Sequence, residues 1–181
     1  MMKVLFVILI SSISLGALAQ TSHYKGVVDF TSEQSQKMSL KFTSILKVTV
    51  EGQKRTYSFT PRLYVRHPGS IELVLTPDAK GALMGAFMEK GKKISEGPVT
   101  IDKSNVVKGV LTAICMKDAN CGGKDIILIQ PSESNLSVSV TSLNQKNKPI
   151  VKLYTMYFPI SDADYAKEEK LPQKNMLTPD R

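Results

Sequence analysis

The sequence predicts a mainly β protein: an antiparallel sheet folded as a sandwich or a partly open barrel, with one or two short helices at about residues 77–90 and 162–171. Three observations favour this fold class. Apolar and polar residues alternate over several stretches, and turn residues separate those stretches. Two neighbouring stretches also change parity across a two-residue turn, as a β-hairpin requires.

That hairpin is the clearest element in the chain. Its apolar residues fall on even positions from 39 to 51 and on odd positions from 54 to 66, with Ile45 as the misfit. A two-residue loop at Gly52-Gln53 requires this switch, and glycine at the first loop position suits a type II′ turn. The register that follows pairs Val48 with Tyr57 and Leu46 with Phe59.

A third strand is expected from Ser70 to Leu75. Its apolar residues face the same side as those of the second strand only if odd positions pair with odd positions. A three-residue loop, His67-Pro68-Gly69, gives that parity, with Gly69 taking a positive φ.

Residues 76–91 carry the best helix signal. Thr76 can cap the helix, Pro77 suits its first position, apolar residues recur at helical spacing, and Gly91 can end it. The alternative is a hairpin loop over residues 77–81 that leads into another strand, because Gly81 and Gly85 disfavour a helix.

Further strands are expected at 99–102, 106–115, 126–129, 136–143 and 150–158. Residues 106–115 also fit helical spacing, but three valines and an isoleucine favour a buried strand. Residues 150–158 are apolar on both faces, which is typical of a strand at the centre of a sheet. Ser161 and Asp164 form a capping box for the second short helix.

Residues 1–19 resemble an export leader. Lys3 precedes an apolar run, and Ala17-Leu18-Ala19 suits cleavage before Gln20. We therefore expect a single β-rich domain at 20–171, a flexible tail at 172–181, no transmembrane segment after removal of the leader, and a periplasmic or secreted location.

The two cysteines, Cys115 and Cys121, flank a turn-rich loop in this exported chain. A disulfide between them is the expected state. The alternative, a redox-active pair, is disfavoured because the spacing does not match the CxxC motif.

No catalytic or metal-binding motif is evident. His23 and His67 lie in segments expected at the surface, and neither belongs to a nucleophile triad or a pair at ligand spacing. The sequence therefore predicts no enzyme activity, no cofactor and no metal site.

The outward face of the first hairpin is the candidate binding surface. It carries basic residues around one tyrosine, in a chain whose formal net charge is +8. An anionic lipid, a glycan or an acidic protein would suit this surface. Nucleic acid is a less expected partner, because the protein is predicted to be exported. The alternative is an ordinary solvated strand face. The candidate residues are Lys41, Lys47, Arg62, Tyr64 and Arg66.

These patterns favour an exported, non-catalytic protein that acts by binding. One alternative is a carrier whose antiparallel strands enclose a small apolar ligand, which would require a lined cavity in place of a filled core. Another is an enzyme of unfamiliar type, which would require a cleft with convergent polar groups.

Overall fold

A computed structural model describes residues 19–33, 38–61, 70–114 and 123–170. These residues form a closed antiparallel barrel of ten strands followed by one short helix. The elements are β1 (Gln20–Ser32), β2 (Met38–Glu51), β3 (Lys54–Pro61), β4 (Ile71–Pro77), β5 (Leu83–Glu89), β6 (Lys92–Ile101), β7 (Val107–Ala113), β8 (Lys124–Pro131), β9 (Leu136–Leu143), β10 (Pro149–Ile160) and α1 (Asp162–Lys170).

The mainly β, antiparallel prediction is confirmed, but the sandwich and the partly open barrel are both wrong. Each strand pairs with its neighbours in sequence, and β1 pairs with β10 as well as with β2. This last ladder closes the sheet and leaves no edge strand. Closure depends on pairing between the two ends of the chain, so no local pattern encodes it.

The register of the first hairpin is confirmed. Val48 lies opposite Tyr57 and Leu46 opposite Phe59. Gly52 has a φ of 60°, as the first central residue of a type II′ turn requires. Leu46, completely buried, faces the barrel interior.

The third strand is present, but its connection differs from the prediction. Phe59 pairs with Ile71 and Tyr57 with Leu73, so odd positions do pair with odd. A three-residue loop at 67–69 would have placed Arg66 opposite Ser70. That pairing is shifted by six residues relative to the observed register. The odd-with-odd rule determines which side chains of the third strand face inwards. It does not determine how far that strand is shifted along the second one.

The helix predicted at 77–90 is wrong, and the hairpin alternative is correct. Asp78 does not begin a helix: its carboxylate accepts the amides of Lys80 and Ala82, each at 2.8 Å. Gly81 then takes a φ of 82°, which reverses the chain into β5. The acid and the glycine therefore belong to a turn.

The same turn recurs twice. Asp102 accepts the amides two and four residues later, and so does the side chain of Asn144. Asn105 and Asn147 occupy the position of Gly81, with φ values of 60° and 55°. Asparagine tolerates this conformation better than most residues.

The sequence of strand β5 also fits a helix because the strand is apolar on both faces. Gly85 and Phe87 point inwards and are buried, whereas Met84, Ala86 and Met88 point outwards and are partly covered. An uninterrupted apolar run satisfies helical spacing as well as strand alternation.

The remaining strand predictions are confirmed, including the ambiguous stretch that became β7. The central position expected of β10 is wrong in one respect, because its outer face is exposed. Tyr154, Met156 and Phe158 are 40–50% accessible. The helix predicted at 162–171 is also confirmed, and Ser161 caps it by accepting the amide of Asp164 at 3.1 Å.

Helix α1 lies against the outer face of β1. His23, expected at the surface, donates its Nδ1–H to Oδ1 of Asp162 at 2.8 Å. Its ring stacks on that of Tyr165, with centroids 3.9 Å apart. Lys25 reaches Glu168 at 2.7 Å. Among the described elements, no helix is long and apolar enough to cross a membrane.

The predicted leader and tail fall outside the described residues, apart from Ala19. The proposed cysteine pair falls outside them as well. These three predictions stand as they were made.

Candidate functional site

The barrel interior is divided into a packed half and a hollow half. Aliphatic side chains fill the half that contains the β2–β3, β4–β5, β6–β7 and β8–β9 turns; among them are Leu46, Leu73, Leu75, Val107, Leu111, Ile127 and Ile129. Packing is tight there because Gly85 leaves room for a neighbour: a Cβ at that position would lie 2.5 Å from Cγ2 of Val99.

The other half contains a partly open cavity of about 460 Å³ between the described residues. Ten strands enclose more space than the eight whose side chains just fill a small barrel. This volume falls within the range of about 300–1,000 Å³ typical of small-molecule sites. The cavity lies towards the barrel end at which β1 leads to β2, β3 to β4 and β7 to β8.

The cavity wall is predominantly apolar. Aromatic rings come from β1, β2, β3, β5 and β10, and aliphatic side chains fill most of the space between them. Phe59 and Tyr157 meet in a tilted pair, with ring centroids 6.3 Å apart, where the cavity borders the packed half. The aromatic lining residues are Phe30, Phe42, Phe59, Phe87 and Tyr157.

A hydrogen bond between two buried side chains spans three strands at this border. The Tyr157 hydroxyl on β10 donates to Ser44 Oγ on β2 at 3.0 Å. Between them lies Gly26 on β1, which is the register partner of both residues. A Cβ on Gly26 would lie 3.0 Å from the Tyr157 ring and 2.6 Å from the Met156 carbonyl oxygen. The missing side chain therefore lets the tyrosine reach across β1.

Burial raises the pKa of the Tyr157 hydroxyl, and the neighbouring hydroxyls of Ser44 and Thr155 oppose that rise only partly. The phenol therefore stays neutral at physiological pH. It acts in this wall as a hydrogen-bond donor.

Thr155 lies two residues earlier on β10 and also lines the cavity. It is completely buried, and its Oγ1 has no hydrogen-bond partner within the described part of the chain. Its register partners are Val28 and Val138, whose side chains offer no polar atom. A buried hydroxyl without a partner is unfavourable by about 1–3 kcal/mol.

Asp125 brings one negative charge to the cavity wall. Ser142 donates to its Oδ1 at 2.7 Å, a short charge-assisted bond between β8 and β9. Among the described residues that line the cavity, none is lysine, arginine or histidine. The described part of the lining therefore has hydroxyl donors and one carboxylate, but no cation.

The predicted basic face is described only in part. Lys41 and Lys47 are exposed, as expected, but Lys41 already pairs with Asp29 on β1 at 3.1 Å. Lys47 follows Lys41 by six positions, which is about 20 Å along a strand. Arg62, Tyr64 and Arg66 lie outside the described residues, so a binding role for this face stays a prediction.

No group of three His, Cys, Asp or Glu side chains within the described ranges could hold a metal ion. Comparison with protein-family models, with curated proteins and with solved structures found no match to this chain.

The polar residues of the cavity were not among the predicted site residues, although the sequence carries a signal for them. Each one belongs to an inward-facing row of otherwise apolar residues, near the same barrel end. Ser44 lies between Phe42 and Leu46, and Thr155 lies between Leu153 and Tyr157. Asp125 and Ser142 stand at the ends of their rows, before Ile127 and after Val140. Such interruptions become informative only once strand direction and register place them together.

Proposed function

We propose that this protein binds a small, largely apolar molecule in the hollow half of its barrel, without transforming it. The observation that carries the proposal is the cavity of about 460 Å³, whose wall is aromatic and aliphatic with a few polar groups at defined positions. Binding sites for small molecules typically combine these features. Together with the predicted export leader, this makes the protein a candidate carrier in the periplasm or outside the cell.

The driving force would be burial of apolar ligand surface against the phenylalanine rings. Each Å² of apolar surface removed from water contributes about 25 cal/mol, before the costs of association are subtracted. A closed barrel is suited to this role because most backbone polar groups of the wall pair with a neighbouring strand. The wall therefore presents side chains, not unpaired amides, to the ligand.

A titration with Nile red, an uncharged dye that fluoresces in apolar surroundings, tests the proposal. Saturable binding is expected for the wild-type protein. Leu153→Trp should weaken it by at least about tenfold, because Leu153 lines the cavity and a larger side chain occupies the ligand's space. Circular dichroism and the melting temperature should establish that this variant is folded.

Tyr154→Trp provides the matched control, because the neighbouring residue points outwards and is 46% exposed. The same side chain introduced there should leave Nile red binding unchanged. Equal loss in both variants, or saturable binding that survives in a folded Leu153→Trp protein, would place the dye outside the cavity and refute the proposal. Solvent extraction of protein purified from its host, followed by mass spectrometry, should also release an apolar compound in stoichiometric amount.

A further inference from the structure

Three of the polar residues of the cavity wall, Ser44, Thr155 and Tyr157, lie around one place. Gly26 has no side chain, and its Cβ position would lie 2.8 Å from Cγ2 of Thr155 and 3.0 Å from the ring of Tyr157. Ser44 is the register partner of Gly26 on the other side. The hydroxyl-bearing residues of β2 and β10 therefore surround the same gap in β1.

Two hydroxyl protons at this place lack a good acceptor among the described residues. Thr155 Oγ1 makes no hydrogen bond of good geometry within that part of the chain. Ser44 Oγ accepts the Tyr157 proton, but its own proton reaches only the carbonyl oxygens of Ile45 and Thr60, both at 3.4 Å. Bonds of that length are weak, since strong O–H···O bonds measure about 2.7–2.8 Å. Both hydroxyls are therefore buried donors in the cavity wall that lack a good acceptor in the ligand-free protein.

The charge of the lining restricts the acceptor that these donors can satisfy. An anionic oxygen would be buried among aromatic rings, and no cation lines the described part of the cavity. Asp125 would add repulsion, because it is the charged residue of that lining. Burial of an unpaired charge is far more costly than burial of a neutral polar group.

The geometry points to a ligand whose polar end is a neutral hydrogen-bond acceptor, such as the carbonyl of an ester, ketone or amide, held by Thr155 and Ser44. Its apolar part then fills the space between the phenylalanine rings. This inference rests on the proposed function and specifies the chemical class of the ligand. It excludes the anion of a fatty acid as the preferred occupant.

Displacement of Nile red by three compounds with the same alkyl chain isolates the polar end: methyl dodecanoate, the dodecanoate anion and dodecane. Methyl dodecanoate should bind at least about tenfold more tightly than dodecanoate, because the anion has no cation to pair with. Thr155→Val keeps the shape of the side chain and removes its donor. It should weaken the methyl ester by about twofold to tenfold, the range expected for one neutral hydrogen bond, and leave dodecane unchanged.

Ser95→Ala is the matched control. Ser95 is also buried with an unpartnered Oγ in the described chain, but it does not line the cavity. Both substitutions remove an unsatisfied hydroxyl, so both should maintain or raise the melting temperature of the ligand-free protein. Only Thr155→Val should change the preference for the ester.

The failure of this inference differs from the failure of the proposed function. If neither Nile red nor any alkyl compound binds, both fall. If the alkyl chains bind but dodecanoate equals or exceeds the ester, the neutral-acceptor inference alone is overturned. The same holds if Thr155→Val leaves the affinity for the ester unchanged.

Discussion

The hydrogen bond between Tyr157 and Ser44 should appear as a strong energetic coupling between β10 and β2. Both residues are 2% exposed, and the bond measures 3.0 Å. Tyr157→Phe removes the donor and should lower the free energy of unfolding by about 1–2 kcal/mol. Ser44→Ala leaves the buried phenol without its acceptor, which should lower it by about 1–3 kcal/mol. In the double variant neither group remains unsatisfied, so its loss should be smaller than the sum of the two single losses by about 1–2 kcal/mol.

Urea denaturation followed by circular dichroism measures all four free energies of this cycle. The slopes with denaturant should agree among the four proteins, which would show that the same surface is exposed on unfolding in each. Losses that add to within about 0.5 kcal/mol would refute the reasoning, because they would show no coupling between the two hydroxyls. The conclusion that Gly26 allows a stabilising contact between Tyr157 and Ser44 across β1 would then fall as well.

Four further predictions concern the interior, the basic face, the Gly26 gap and alkaline pH. Leu46→Lys should destabilise the protein by at least about 3 kcal/mol in urea denaturation, because it buries an unpaired charge. In contrast, Lys41→Glu combined with Arg62→Glu should cost less than about 1 kcal/mol, and it should abolish sedimentation with anionic vesicles if the basic face is a binding surface; sedimentation unchanged by salt would argue against that role. Gly26→Ala should lower stability by about 1–3 kcal/mol, since its Cβ would meet a backbone oxygen at 2.6 Å, and a wild-type melting temperature would contradict this packing. The raised pKa of Tyr157 means that its neutral form stabilises the fold fully below the ordinary value of 10.0 and that this contribution is lost as pH rises through the folded-state pKa. Between pH 10.0 and the folded-state pKa, the unfolding free energy of Tyr157→Phe should therefore fall less steeply with pH than that of the wild type. Parallel curves over this range would contradict the raised pKa of Tyr157.

The sequence alone determined the elements whose signals are local. Alternation identified most of the strands, and the parity switch at Gly52-Gln53 specified the register of β2 on β3. The capping pair of Ser161 with Asp164 marked the start of α1. Each of these rests on residues within a few positions of one another, so neighbouring side chains and turn geometry suffice to decide them. Residues 77–90 show the limit of such signals, because β5 is apolar on both faces and its leading turn uses the same residue types as a helix start.

Tertiary structure decided closure, the hollow half of the barrel and its polar wall. Closure requires β1 to pair with β10, and those strands lie more than a hundred residues apart in the chain. The cavity follows because ten strands enclose more volume than the inward side chains of one half can fill. Ser44, Thr155 and Tyr157 meet there only because Gly26 separates β2 from β10 without a side chain. Alternation states which side of a strand faces inwards, but whether that interior is filled or open depends on the volumes of side chains contributed by all ten strands together.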